Sequence, residues 1–242
     1  MEIGAYSHKG RVREMNEDAY CISSGDLNLF IVADGMGGHN AGEVASNEAI
    51  HSIKDFMEKN KGVVSKNDQE ICHALKDATT HANLDILKKA QQNEEYEGMG
   101  TTLTVVLIAS KIYVAHVGDS RAYLIRKNSI SQITQDHSLV AELVRNGSIT
   151  ENEAKIHPQR NMITRALGTD EDINIDLYTL DVEKEDIIVL CTDGLTNLIE
   201  IEEIKDTLID CANIQKACEH LVDLANERGG YDNITIIAIK NR

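Results

Sequence analysis

The apolar runs in this chain are short, and several of them stop or start at an aspartate. Leu29-Phe30-Ile31-Val32-Ala33 ends at Asp34, and Ile187-Ile188-Val189-Leu190 leads through Cys191-Thr192 to Asp193. Ile234–Ile239 begins directly after Asp232-Asn233. Continuous runs of this length predict strands buried on both faces. Thr101–Ala109, Ile112–Val117 and Ala122–Ile125 follow one another closely, the last two joined by Gly118-Asp119-Ser120-Arg121. Such short connections predict antiparallel pairing. Weaker strand patterns lie at 1–7, at about 18–24 and at Ile173–Leu180.

Elsewhere the period changes to that of a helix. Asn40 with Glu43 makes an N-cap and third-residue acid pair, and Val44, Ile50, Ile53 and Met57 continue the stripe to about residue 59. Asn67 or Asp68 caps a second helix carrying Ile71, Leu75, Ala78, Ala82 and Ile86 on one face. Further helices are predicted at Asp136–Asn146, Ile201–Asp210 and Ile214–Arg228, with a polar segment from the first of these to Asn161. Strands in antiparallel groups and helices in pairs favour a layered α+β architecture over alternating βαβ units. With neither a repeat nor a low-complexity linker, the 242 residues are expected to form a single domain.

Composition narrows the partners. A net charge of −16 and the lack of a Lys/Arg run make nucleic acid a poor partner. The five cysteines are odd in number, show no C-x-x-C spacing and sit mostly in apolar patterns, so reduced structural thiols and a cytoplasmic location are expected. The N-terminus lacks the basic and apolar regions of a signal peptide, and no apolar run is long enough to insert into a membrane.

The strand-end aspartates carry the candidate chemistry. Asp34 precedes Gly35, so a tight turn presents a carboxylate and a backbone carbonyl to the same space. Asp193-Gly194 repeats the arrangement, Asp232 stands before a strand, and Asp119 lies between two. Carboxylates about 5 Å apart repel by roughly 3 kcal/mol at an effective dielectric near 20. Convergence of four therefore requires a cation. Oxygen ligands select magnesium, manganese or calcium, and zinc is disfavoured without a His/Cys cluster. Two such ions about 3.5–4 Å apart suit phosphate-ester hydrolysis by a bridging hydroxide. Arg13, beside Asn16-Glu17-Asp18, supplies the fixed cation a phosphate would need.

These motifs, in order, resemble a known family. Ser7–Asp18, Val32–His39, Gly98–Thr102, Ala115–Tyr123, Ile163–Gly168, Thr192–Leu195 and Asp232–Thr235 are similar to the type-2C metal-dependent protein serine/threonine phosphatases (the PPM family), in their compact bacterial form. The resemblance covers 1–242. It implies an α-β-β-α sandwich of two packed antiparallel sheets flanked by helix pairs, with a flap at about 139–161 beside the active site. It implies that Asp34 bridges two metals and the Gly35 carbonyl binds one of them. Asp193 and Asp232 complete those sites, and Asp119 with Asp193 holds a third ion. Glu17 and Asp18 act mainly through metal-bound water, Arg13 binds the substrate phosphate, and the ions are manganese or magnesium. The implied partners are phosphorylated proteins and a bacterial Ser/Thr kinase whose signalling the enzyme reverses.

One position departs from the animal members, which carry a histidine directly after the Asp-Gly pair as a candidate general acid. Here it is Met36, which has no proton to transfer; His39 is one substitute and a metal-bound water the other. His8, His116 and His137 are expected to be structural or surface residues. Ser120, Thr192 and Cys191 lack the environment of a covalent nucleophile. The competing reading is a non-catalytic phosphoprotein-binding or regulatory module on the same fold, whose signature would be a lost metal-site aspartate. A divalent-cation-binding protein without phosphate chemistry is a third reading, disfavoured by Arg13 and by the ordered motifs.

Overall fold

In the computed structural model, residues 1–37 and 41–242 are described, so the Asn40 cap and His39 lie outside the described residues. The chain begins with β1 (Glu2–His8), β2 (Asp18–Ser23) and β3 (Leu29–Met36), then α1 (Ala41–Lys59) and α2 (Asp68–Gln92). Next come β4 (Gly100–Thr101), β5 (Leu103–Ile108), β6 (Ile112–Val117), β7 (Arg121–Arg126) and β8 (Ser129–Gln132). A helix pair follows, α3 (Leu139–Arg145) and α4 (Glu151–Ile156), and then β9 (Asp176–Leu180) and β10 (Ile187–Cys191). The chain closes with α5 (Asp193–Thr196), α6 (Ile201–Asp210), α7 (Ile214–Glu227) and β11 (Ile234–Lys240).

The strands form two antiparallel sheets, ordered β1-β11-β10-β7-β8 and β2-β3-β5-β6-β9, with β4 paired to β3. The unbroken apolar runs follow from this layering, because each sheet is covered on both faces. Phe30, Val32, Val106 and Val114 of one sheet pack against Leu124, Ile188, Leu190, Ile237 and Ile239 of the other. The alternate residues Leu29, Ile31, Val105 and Leu107 meet Ala45, Ile53, Ile71 and Leu75 on α1 and α2. Val189, Ile236 and Ala238 meet Ile204, Leu208, Leu221 and Val222 on α6 and α7. The order of layers is α-β-β-α, as expected.

Three strand and helix expectations are corrected. Ile112–Val117 and Ala122–Ile125 do not form a hairpin, because β6 and β7 lie in different sheets and Gly118–Ser120 carries the chain across the sandwich. Gly118 allows this crossing: its φ is +110°, and a Cβ there would lie 2.5 Å from the Thr102 Cβ. The Thr101–Ala109 run is broken at Thr102, whose side chain serves Asp34 rather than the ladder. The polar segment before Asn161 contains α4, opened by a Thr150–Glu153 capping box. The sequence pattern also missed β8. Its turn is made by Lys127 and Asn128, both at positive φ without a glycine to mark it.

Phe30 is fully buried between the sheets. Phe30→Ala is expected to cost about 3–5 kcal/mol of unfolding free energy, read from the urea midpoint at unchanged slope.

Candidate metal centre

The aspartates gather at one end of the sandwich because the strands that carry them end or begin there. Asp18 opens β2 directly opposite Asp34 near the end of β3. Arg121 at the start of β7 stands opposite Cys191 at the end of β10, which places the Asp119 turn beside Asp193. Asp232 precedes β11, the other neighbour of β10. Each carboxylate feels its neighbours: Asp34 is acted on by the charges of Asp18, Asp193, Asp119 and Asp232.

Hydroxyl and amide side chains hold this end in place. Asp18 Oδ2 accepts from Thr192 Oγ1 at 2.8 Å and from Thr235 Oγ1 at 2.6 Å, which bolts the β2–β3 sheet to the other. The Asp34 N–H donates to Thr102 Oγ1 at 2.9 Å, and its carbonyl accepts from the Thr102 N–H and from Thr101 Oγ1, both at 2.9 Å. Asn197 Nδ2 donates to Asp193 Oδ2 at 3.0 Å. Asn233 fixes the loop that bears Arg13 and Glu17. It donates to the carbonyls of Lys9 and Met15 at 2.9 and 2.8 Å and accepts from the Glu17 N–H at 2.7 Å. Gly35 is required by close approach, since a Cβ there would sit 2.0 Å from the Gly42 carbonyl oxygen on α1 and 2.7 Å from that of Glu17. Gly35 was expected at this site, but the threonines and asparagines were not singled out as supports for the carboxylates. Their only signal was that Thr192, Asn233 and Thr235 lie within three residues of an acidic position and that Thr102 closes the Gly98–Thr102 motif.

Burial and crowding favour the protonated forms of Glu17, Asp18, Asp34, Asp119 and Asp193. Asp18 is 7% exposed and Asp119 8%. Burial first, and then the charges of Asp193 and other carboxylates, raise Asp18 to about 7 and Asp119 to about 8. Asp34 is raised well above the usual range by burial and by its four neighbours. Asp193 and Glu17 are also raised, burial leading in both. Arg13 Nη2 offers one compensating contact, 2.9 Å from Asp232 Oδ2. The Cys191 thiol is pushed up to about 12 by burial, which removes it as a nucleophile.

The donor set fits a hard cation. Glu17 Oε1, Asp18 Oδ1 and Asp119 Oδ1 are buried carboxylate oxygens with no hydrogen-bond partner among the described residues. A buried anionic oxygen left unpaired is costly unless a cation or a proton meets it. Among the described residues, no three His, Cys, Asp or Glu side chains are drawn into one closed ligand shell. The carboxylates gather at one end of the sandwich, and their mutual repulsion opposes closer approach. Every sequence-predicted ligand within the described residues reaches this end of the sandwich. His39 lies outside them.

A two-sheet sandwich that gathers buried carboxylates and an arginine at one end is the arrangement expected of a metal-dependent phosphoryl hydrolase. The chain belongs to the Protein phosphatase 2C family, which it matches over residues 6–227. It is a protein serine/threonine phosphatase. The Serine/threonine phosphatase stp of Listeria welshimeri is 37% identical to it over 235 residues, 96% of this chain and 92% of that protein. Protein phosphatase PhpP of Streptococcus pneumoniae is 37% identical over 243 residues, 99% and 97% of the two chains. The Mycobacterium tuberculosis serine/threonine phosphatase PstP/Ppp has a crystal structure similar to this fold at a TM-score of 0.89, with 34% identity and coverage of 100% and 98%. The catalytic domain of PstP in complex with 2 manganese ions matches at a TM-score of 0.87, with 33% identity and coverage of 100% and 98%.

A carboxyl raised in the fold above its usual 3.8 leaves the native protein holding more protons than the unfolded chain. Native stability then falls as pH rises toward the raised value. His116, pushed down to about 4 by burial, acts oppositely below its ordinary 6.5. The carboxyls therefore dominate above that pH. The melting temperature of the metal-free protein is expected to fall between about pH 6.5 and pH 8, and millimolar manganese is expected to reverse the fall. Differential scanning calorimetry with and without chelator checks both.

Proposed function

We propose that the carboxylate cleft is the catalytic centre of one phosphatase domain spanning 1–242, and that 139–161 forms its flap. The observation that carries this reading is the set of three buried carboxylate oxygens, on Glu17, Asp18 and Asp119, that have no hydrogen-bond partner among the described residues. Beside them stands Arg13, a fork-shaped phosphate binder held on Asp232.

In this reading Asp34, the Gly35 carbonyl, Asp193 and Asp232 would hold two ions, and Asp119 with Asp193 would hold a third. Manganese or magnesium fits the all-oxygen donor set. The manganese bound by the PstP catalytic domain supports the first choice. When bound, the ions activate water and neutralise phosphoryl charge. The chain's own groups supply position. Arg13 exchanges its bond to Asp232 for two bonds to the phosphate. Thr192 and Thr235 hold one oxygen of Asp18, which leaves Oδ1 free to orient water. Asn233 keeps the Arg13 loop against the centre. The alkoxide leaves in one displacement, without a phosphoenzyme, since Cys191 is protonated and Ser120 is bonded to Thr102. Met36 has no proton to give, and His39 is the proposed donor.

The substrates are phosphorylated proteins. A bacterial Ser/Thr kinase as the opposing enzyme and a cytoplasmic location complete the proposal. Among the described residues, no helix is long and apolar enough to cross a membrane.

Manganese-dependent release of phosphate from a phosphothreonine peptide is the test. Asp193→Ala is expected to lose more activity than the roughly 10–100-fold typical of removing an outer-shell partner of a metal ligand. Arg13→Lys, which keeps the charge but not the fork, is expected to raise KM. Full activity in Asp193→Ala, or release that ignores manganese, would refute the reading.

A further inference from the structure

His137 lies outside the set of groups assigned to the reaction, yet it is 2% exposed and every polar atom on it is engaged. Its N–H donates to the Gly118 carbonyl at 2.8 Å, and the Gly118 N–H donates back to the His137 Nδ1 at 3.1 Å. Nδ1 is therefore an acceptor, and in the neutral ring the proton sits on Nε2. Nε2 faces Asp176 Oδ2 at 3.2 Å, and Arg165 Nη1 lies 3.2 Å from the same nitrogen while donating to Asp176 Oδ1 at 3.1 Å. The His116 ring lies against that of His137, centroids 5.0 Å apart. It is pinned by Thr104 Oγ1 at 3.0 Å and by the Gln135 carbonyl at 3.1 Å.

The backbone of His137 is also where the flap leaves and returns. The Thr164 N–H donates to the His137 carbonyl at 2.8 Å, and the Leu139 N–H donates to the Met162 carbonyl at 2.9 Å. Ser138 and Ile163 form a β-bridge between these hydrogen bonds. Thr164 Oγ1 reaches Glu142 on α3 at 2.9 Å. One residue thus joins the outgoing chain, the returning chain and the turn that precedes Asp119. That turn has little slack, because Gly118 is wedged against Thr102, the partner of the Asp34 N–H.

We propose that His137 is a positioning residue that ties the Asp119 turn to both ends of the flap, so that flap order and Asp119 placement change together. The proposal rests on reading Asp119 as a cation ligand and 139–161 as the segment that meets protein substrates. Its consequence is selectivity. A phosphoprotein that orders the flap also tightens the Asp119 corner of the cleft, whereas a small phosphate ester leaves the flap untouched.

Two isosteres separate the ring's roles. In His137→Asn the amide oxygen takes the place of Nδ1 and keeps the acceptor for Gly118. In His137→Gln the amide group reaches the place of Nε2 and leaves the Gly118 N–H unmet. In the metal-free protein, His137→Gln is expected to speed hydrogen exchange at Gly118–Ser120 and across 139–164 by about tenfold, the effect of one lost hydrogen bond, while β10 and β11 stay protected. His137→Asn is expected to restore protection at Gly118–Ser120. With manganese present, His137→Gln is expected to lower kcat/KM for a phosphothreonine peptide relative to p-nitrophenyl phosphate by about fivefold.

Unchanged exchange at the turn, or equal loosening by both variants with both substrates reduced in proportion, would overturn the proposal and leave His137 a packing residue. If His137→Gln does not fold, Asp176→Asn replaces it and is expected to loosen 139–164 with the Gly118 bond intact. An unaffected flap in that variant also counts against the proposal. A wild-type protein that hydrolysed neither substrate would refute the phosphatase reading, and hydrogen exchange would still decide the role of His137.

Discussion

Carboxylates fixed at one end of a sandwich repel one another, and the supports around them answer that repulsion. Two unit charges about 4 Å apart interact by roughly 4 kcal/mol at an effective dielectric near 20, and several such pairs approach the whole stability of a domain. The fold does not relieve this by separating the groups. It holds them with short, unyielding supports and leaves the charge to protons or cations. Asp18 faces Asp34 across the β2–β3 pair, and Leu29–Ala33 of β3 are buried on both faces, so Asp34 cannot withdraw without unpacking Phe30 or Ile31.

Those supports also explain why the site belongs to both sheets. The two threonine hydroxyls on Asp18 come from β11 and from the residue after β10, while Asp18 itself starts β2 in the other sheet. Gly118–Ser120 crosses between the sheets at the same end, and the Ser120 hydroxyl meets that of Thr102 at 2.7 Å. The inter-sheet core sets the spacing, and these polar links set the register. Buried hydroxyls of this kind hold position without adding charge, which suits a site that already has too much.

The layers and the acidic positions were legible in the sequence because both follow from simple periodicity. Ile187–Cys191 and Ile201–Asp210 match their expected bounds, since a continuous apolar run or a capped amphipathic stripe leaves little ambiguity. Pairing was less legible. The Gly118–Arg121 connection is short enough for a hairpin, yet it changes sheets, because Ala122 and Leu124 are needed in the inter-sheet core beside Ile188 and Leu190. Local sequence carries no record of that competition. Asp34, Asp119, Asp193 and Asp232 could be named because strand-end carboxylates are unusual. The threonines and asparagines that hold them could not, since a buried hydroxyl and an exposed one read alike. Arg13 was expected at a phosphate, and in this structure it rests on Asp232, the nearest anion.

This end of the sandwich is built around more negative charge than the protein alone can balance. Calorimetric titration of the metal-free chain with manganese, repeated in buffers of different ionisation enthalpy, tests it most directly. A carboxylate cleft that holds protons must release them when the cation enters. Saturable binding of at least two ions per chain is expected, with net proton release that shrinks above about pH 8, where Asp18 and Asp119 are already ionised. Binding heats independent of buffer near neutral pH, or no saturable binding, would contradict it.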